Sequence, residues 1–184
     1  MRYLRAAAVL CLLSLVAAAA EIPRPAPDLA IPLASNKQIR LSQYRGKTVV
    51  LAFILTYCSH CQAVVRGLIK DQQEFAPQGL QVVSCAIEEM AAAAVPGFVR
   101  QFSPNFPVGY CPNTEAVKFL QHPPMMGFYM PALVFIDKDG VIRAQAEGRD
   151  PLLAEATQEK AVREKILEML KPAAPAKKAP AAKK

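Results

Sequence analysis

The 184-residue chain has no tryptophan and only two histidines, and it carries little net charge away from its ends. Each shortage excludes something. His60 and His122 are too few for a multi-histidine metal centre, and a single Cys-x-x-Cys supplies only half of a four-ligand zinc site. No metal or other cofactor is therefore expected. The formal net charge of +7 invites a nucleic-acid reading, but Arg2, Arg5, Lys171, Lys177, Lys178, Lys183 and Lys184 are all terminal. Between positions 21 and 170, 15 basic residues balance 15 acidic ones. A neutral body without basic clusters or interleaved aromatics offers phosphate backbones no footprint, so no nucleic-acid partner is expected. At 53% hydrophobic and 20% charged, the stretch between the ends suits one domain with one core.

The two ends read as separate segments. Residues 1–20 have the pattern of an export signal: Arg2 and Arg5, an apolar run over 6–16, then Ala18, Ala19 and Ala20 before Glu21. That run is too short to span a bilayer comfortably, so the expectation is cleavage, no stable membrane insertion and a periplasmic or secreted product. Leu10 precedes Cys11 where lipid attachment would require a small residue, so four cysteines remain for an oxidising compartment. Residues 171–184 are only Lys, Pro and Ala, which cannot bury enough surface to offset ordering, and read as a disordered tail.

Residues 21–170 alternate short apolar runs with helical periodicities. Positions 48–55 (TVVLAFIL) and 80–87 (LQVVSCAI) read as strands buried on both faces. Between them, Val64, Val65, Leu68 and Ile69 mark one face of a helix over 62–75, stopped by Pro77 and Gly79. A helix over 91–102 follows despite Pro96, then a short strand over 106–110 and a helix over 114–121. Positions 132–136 and 141–146 flank the turn Asp137-Lys138-Asp139-Gly140, and a last helix spans 153–170. Upstream, 29–33 and 38–41 suggest a small leading hairpin. The sum is an α/β fold: a central mixed sheet flanked by helices, with an N-terminal β-hairpin.

Cys58-Ser59-His60-Cys61 falls where the first buried strand gives way to the first long helix. That spacing lets both sulfurs meet across the first helical turn, where free amides and the helix dipole favour a thiolate on Cys58. Cys58 is thus the expected nucleophile and Cys61 its buried partner. His60 beside them can donate to the Cys58 thiolate, which would raise the reduction potential. Pro131, before the strand ALVFI, suits either a cis peptide or a trans strand opening. Cys85 lies mid-strand and Cys111 follows the short strand; they could bridge or remain buried thiols, and the even count in an exported protein favours the bridge.

The segments APDLAIPL, IRLSQYRGKTVVLAF, Cys58-x-x-Cys61, FPVGY and MPALVFIDKDGVI, in this order, resemble the redoxin branch of the thioredoxin fold, the TlpA-like and AhpC/TSA-like proteins. The resemblance spans nearly all of residues 26–170. It implies a thioredoxin-like fold with a short strand-helix insertion around 104–121, thiol–disulfide exchange at Cys58 and Cys61, and a cis-Pro131 against them. It also implies an acidic residue near Cys61 that moves its proton, with Glu89 a better match than Glu88. The implied partners are protein thiols and disulfides, with a membrane-bound electron donor. Three departures stand out: Tyr57 replaces the usual tryptophan, Ser59-His60 is closer to oxidases and isomerases, and the loop over 122–130 is long and rich in Met. Two alternatives follow. One is a thiol peroxidase of the AhpC/TSA type, although the proline and threonine spacing of that class is absent around Thr56. The other is a non-catalytic copper- or client-binding module built on the Met-rich loop.

Overall fold

The computed structural model describes residues 20–35 and 37–171. The export signal read over 1–20 and the tail read over 171–184 lie, but for Ala20 and Lys171, outside the described residues. In chain order the elements are β1 (Arg24–Pro25), β2 (Ala30–Pro32), β3 (Gln38–Arg40), β4 (Thr48–Ile54), α1 (Ser59–Phe75), β5 (Leu80–Ala86), α2 (Ala91–Phe102), β6 (Val108–Tyr110), α3 (Asn113–Leu120), β7 (Ala132–Ile136), β8 (Val141–Glu147) and α4 (Gln158–Leu170). Six strands form one mixed sheet in the order β1-β8-β7-β4-β5-β6, and β2 pairs with β3 separately. β4, β5 and β6 run parallel, as their helical crossovers require; β7 and β8 return antiparallel through the Asp137–Gly140 turn. This is the thioredoxin-like mixed sheet flanked by four helices, with its leading hairpin and its inserted strand and helix.

All seven residues of β4 are buried, which explains its unbroken apolar run. Their alternation divides the core. Val50, Ala52 and Ile54 pack with α1, α2 and α4, whereas Val49, Leu51 and Phe53 pack with α3 and the β2–β3 hairpin. Among the described residues, no helix is long and apolar enough to cross a membrane.

The largest departures from the sequence reading are the starts of α1 and α4 and the presence of β1. α1 begins at Ser59 rather than 62, because the Cys58 sulfur caps it by accepting from the Cys61 amide. α4 begins at Gln158 rather than 153. Asp150 caps a 3-10 turn over Pro151–Leu153, Leu153 is fully buried, and its carbonyl bonds to His60 instead of continuing a helix. β1 has almost no sequence signature; it is held by buried Arg24, whose guanidinium donates to the Phe119 carbonyl at 2.8 Å and to Gln145 at 3.0 Å.

Gly109 in β6 lies under the leading hairpin, bridged to Leu33. A Cβ there would overlap the Pro32 carbonyl oxygen and come within 2.5 Å of Ile31 Cγ2. Gly109→Ala should therefore lower unfolding stability in urea by about 2–3 kcal/mol, the usual cost of overpacking against backbone. A loss below ~0.5 kcal/mol would mean the hairpin does not seat on β6.

Candidate active site

The site forms at the end of the sheet where β4 stops and β7 starts. Phe53 pairs with Ala132, which sets the loop after β4 level with Pro131. Cys58 has extended backbone angles (φ −79°, ψ 119°), as a helix cap needs, and its half-buried sulfur accepts from the Cys61 amide at 3.3 Å. One of the orphan amides of α1 thus points at the first sulfur. Cys61 is fully buried one turn in, and its sulfur accepts from the Leu55 amide at 3.5 Å. Burial, reinforced by the neighbouring Cys58 sulfur and opposed by the Leu55 amide, pushes the Cys61 thiol well above the usual thiol range. The pair is therefore asymmetric: one sulfur is accessible, and the other is held protonated until something takes its proton.

A carboxyl group is held by the same loop. The Thr56 amide donates to Glu88 Oε1 at 3.1 Å, and the Thr56 hydroxyl donates to the same oxygen. Adjacent backbone amides, those of Leu55 and Thr56, therefore hold the Cys61 sulfur and the Glu88 carboxyl. The second oxygen, Glu88 Oε2, is buried without a hydrogen-bond partner among the described residues. Glu89, favoured by the sequence reading, is exposed and lines the same cleft as Glu88. Ala86, the last residue of β5, packs on the α1 side with Cys61, and Ile87 packs on the opposite side.

His60 is also placed differently from the expectation. Its Nε2 lies 2.8 Å from the Leu153 carbonyl, which can only accept, so Nε2 carries the proton. Through that bond His60 ties α1 to the 3-10 turn before α4.

Pro131 is buried behind a cis Met130–Pro131 peptide. The loop over 122–130 is fastened to the end of β8. His122 Nδ1 meets Glu147 at 2.8 Å, the Gly148 amide donates to the Tyr129 carbonyl at 3.0 Å, and the Arg149 guanidinium stacks 3.7 Å over the Tyr129 ring. Gly148 has no signal in the sequence reading, yet a Cβ there would come within 2.7 Å of the Met130 carbonyl oxygen. Met125 and Met126 are exposed at the outer end of the loop, and Met130 lines an open cleft of about 680 Å³ with Thr56, Tyr57, Glu88 and Met90. Among the described residues, no three His, Cys, Asp or Glu side chains cluster as a metal site.

The AhpC/TSA family model matches residues 22–145. The chain belongs to the AhpC/TSA family. Within it, the chain is similar to the thiol-disulfide oxidoreductase ResA of Bacillus thuringiensis subsp. konkukian, with 27% identity over 128 residues and 70% of each chain covered. ResA of Bacillus subtilis is 31% identical over 83 residues, covering 45% of this chain and 46% of that protein. Among solved structures, a candidate thiol:disulfide interchange protein DsbE from Chlorobium tepidum superposes with a TM-score of 0.68 at 24% identity, covering 80% of this chain and 96% of that one. A candidate protein disulfide isomerase from Bacteroides thetaiotaomicron gives 0.65 at 26% identity, covering 83% and 91%. Family, fold and the paired cysteines make this AhpC/TSA member a thioredoxin-like thiol–disulfide oxidoreductase.

Proposed function

We propose that the chain is an exported reductant of protein disulfides, in which Cys58 exchanges with the partner and Cys61 resolves. The carrying observation is the asymmetry of the pair: a half-buried Cys58 at a helix cap in front of a fully buried Cys61. The Cys58 thiolate attacks one sulfur of a partner disulfide, and the other partner sulfur leaves and takes a proton. Glu88 accepts the Cys61 proton, and the resulting thiolate attacks Cys58, forming the Cys58–Cys61 disulfide and releasing the second partner sulfur. The partner gains two electrons and two protons. The oxidised pair is then reduced by a membrane-bound dithiol donor through the same exchange in reverse. Pro131 and Met130 form the wall against which the partner chain lies.

The reducing direction rests on how the Cys58 sulfur is held. Whatever stabilises its thiolate makes the pair more oxidising. Here the Cys61 amide donates to it, while the Nε2 proton of His60 goes to Leu153. The reduction potential should accordingly fall near thioredoxin's, about −270 mV, in a glutathione or dithiothreitol redox titration. A value near −120 mV, that of a strong oxidant, would reverse the direction assigned here. For export, the reading rests on the leader pattern of residues 1–20. N-terminal sequencing of the protein recovered from outside the cytoplasm should begin at Glu21; recovery only inside cells with Met1 retained would contradict it.

A further inference from the structure

Two cysteines take no part in this chemistry. Cys85 lies in β5 and Cys111 immediately after β6, and their sulfurs are 2.7 Å apart. The contact is built by the sheet. Cys85 pairs with Gly109, and the Cys111 amide donates to the Ala86 carbonyl at 3.0 Å, carrying the β5–β6 ladder one residue beyond β6. Both side chains pack in the α3 and hairpin half of the core, whereas Cys61 packs in the α1 half, so the sheet separates the two pairs. We propose that Cys85 and Cys111 form a second disulfide, a structural staple across β5 and the inserted β6–α3 segment that is insulated from exchange at Cys58 and Cys61.

Burial makes the staple one-way. Cys85 is fully buried and Cys111 is 4% exposed, so neither an external thiol nor Cys58 reaches them in the folded chain. Burial, and then the Cys111 sulfur beside it, pushes the Cys85 thiol well above the usual range, so Cys85 presents no reactive thiolate in the folded chain. The bond must therefore form before β6 docks. A low-molecular-weight disulfide, such as oxidised glutathione, is attacked by one cysteine and releases one thiol. The second cysteine then attacks the mixed disulfide and releases the other. Cys85 and Cys111 together lose two electrons and two protons, and the external disulfide is reduced to two thiols. The closed loop joins positions 26 residues apart, which removes substantial chain entropy from the unfolded state.

Trypsin separates the cysteines of the body cleanly. Residues 48–66 hold Cys58 and Cys61, 71–100 hold Cys85, and 101–118 hold Cys111. The test refolds the full chain in oxidised glutathione, alkylates it in guanidinium and digests it without reduction. Peptides 71–100 and 101–118 should be recovered linked to each other. When folded protein is first treated with dithiothreitol, and the reductant is removed before that alkylation, the cysteines in 48–66 should become alkylated while the other two peptides stay linked, opening only if guanidinium is present together with the dithiothreitol. Recovery of 71–100 and 101–118 as separate alkylated peptides after oxidative refolding, or of either joined to 48–66, overturns the proposal. The double variant Cys85→Ala with Cys111→Ala should keep exchange at Cys58 and melt about 10 °C below the oxidised wild type. An unchanged melting temperature would contradict the staple, and if the variant does not fold, the peptide map alone decides.

Discussion

Serine at position 58 abolishes disulfide exchange, lowering the rate of reduction of a disulfide-bearing peptide by at least ~10³-fold, as removal of a covalent nucleophile does. The expectation follows from placement. The Cys58 sulfur is the half-buried one, it caps α1, and the Cys61 amide points at it. Serine can still accept that amide, so Cys58→Ser should melt within a few degrees of wild type while losing activity. Cys61→Ser behaves differently. Its first attack is intact, but nothing resolves the mixed disulfide, so the partner should remain bound through Cys58. Stopped-flow fluorescence of a labelled dithiol peptide, read beside non-reducing gels, separates the two. A Cys58→Ser chain that exchanges at the wild-type rate removes the proposed chemistry.

Glu88→Gln slows turnover by about 10²-fold, the usual share of a positioned proton carrier. Glutamine keeps the hydrogen bonds from Thr56 but cannot take the Cys61 proton. Because burial holds that thiol above the usual range, the variant must lose the proton to solvent. The thiolate fraction of a raised thiol grows with pH, so the rate of Glu88→Gln should keep climbing into the alkaline range and approach wild type there. Simple structural damage would leave a pH-independent deficit. Glu89→Gln, at the exposed neighbour, should match wild type; a loss there with none at Glu88 would return the role to the residue first expected.

Much of the fold was legible because its signals are local and strong. The seven-residue run of β4, the turn at Asp137–Gly140 and the 3.6-residue pattern of α1 each carry their own periodicity. Elements fixed by distant contacts were not legible. β1 exists because Arg24 finds the Phe119 carbonyl 95 positions away, and α4 starts late because His60 binds the Leu153 carbonyl. In the site, the spacing of Cys58 and Cys61 is sufficient to bring the two cysteines together at the start of α1. The sequence favours Glu89 as the implied acid, whereas the hydrogen bonds of the loop after β4 go to Glu88, a contact between positions 32 residues apart. No local pattern could show that His60 Nε2 bonds to the Leu153 carbonyl, since that depends on a turn 93 residues downstream.

The most direct test of the central claim is to trap the intermediate. Cys61→Ser protein is mixed with a disulfide-linked partner peptide, quenched in acid, alkylated and digested without reduction. The account predicts a single covalent adduct, with the partner cysteine attached to residues 48–66 through Cys58, formed in stoichiometric yield and released by dithiothreitol. An adduct carried by Cys85 or Cys111, or no adduct while the wild-type chain reduces the same peptide, would contradict it.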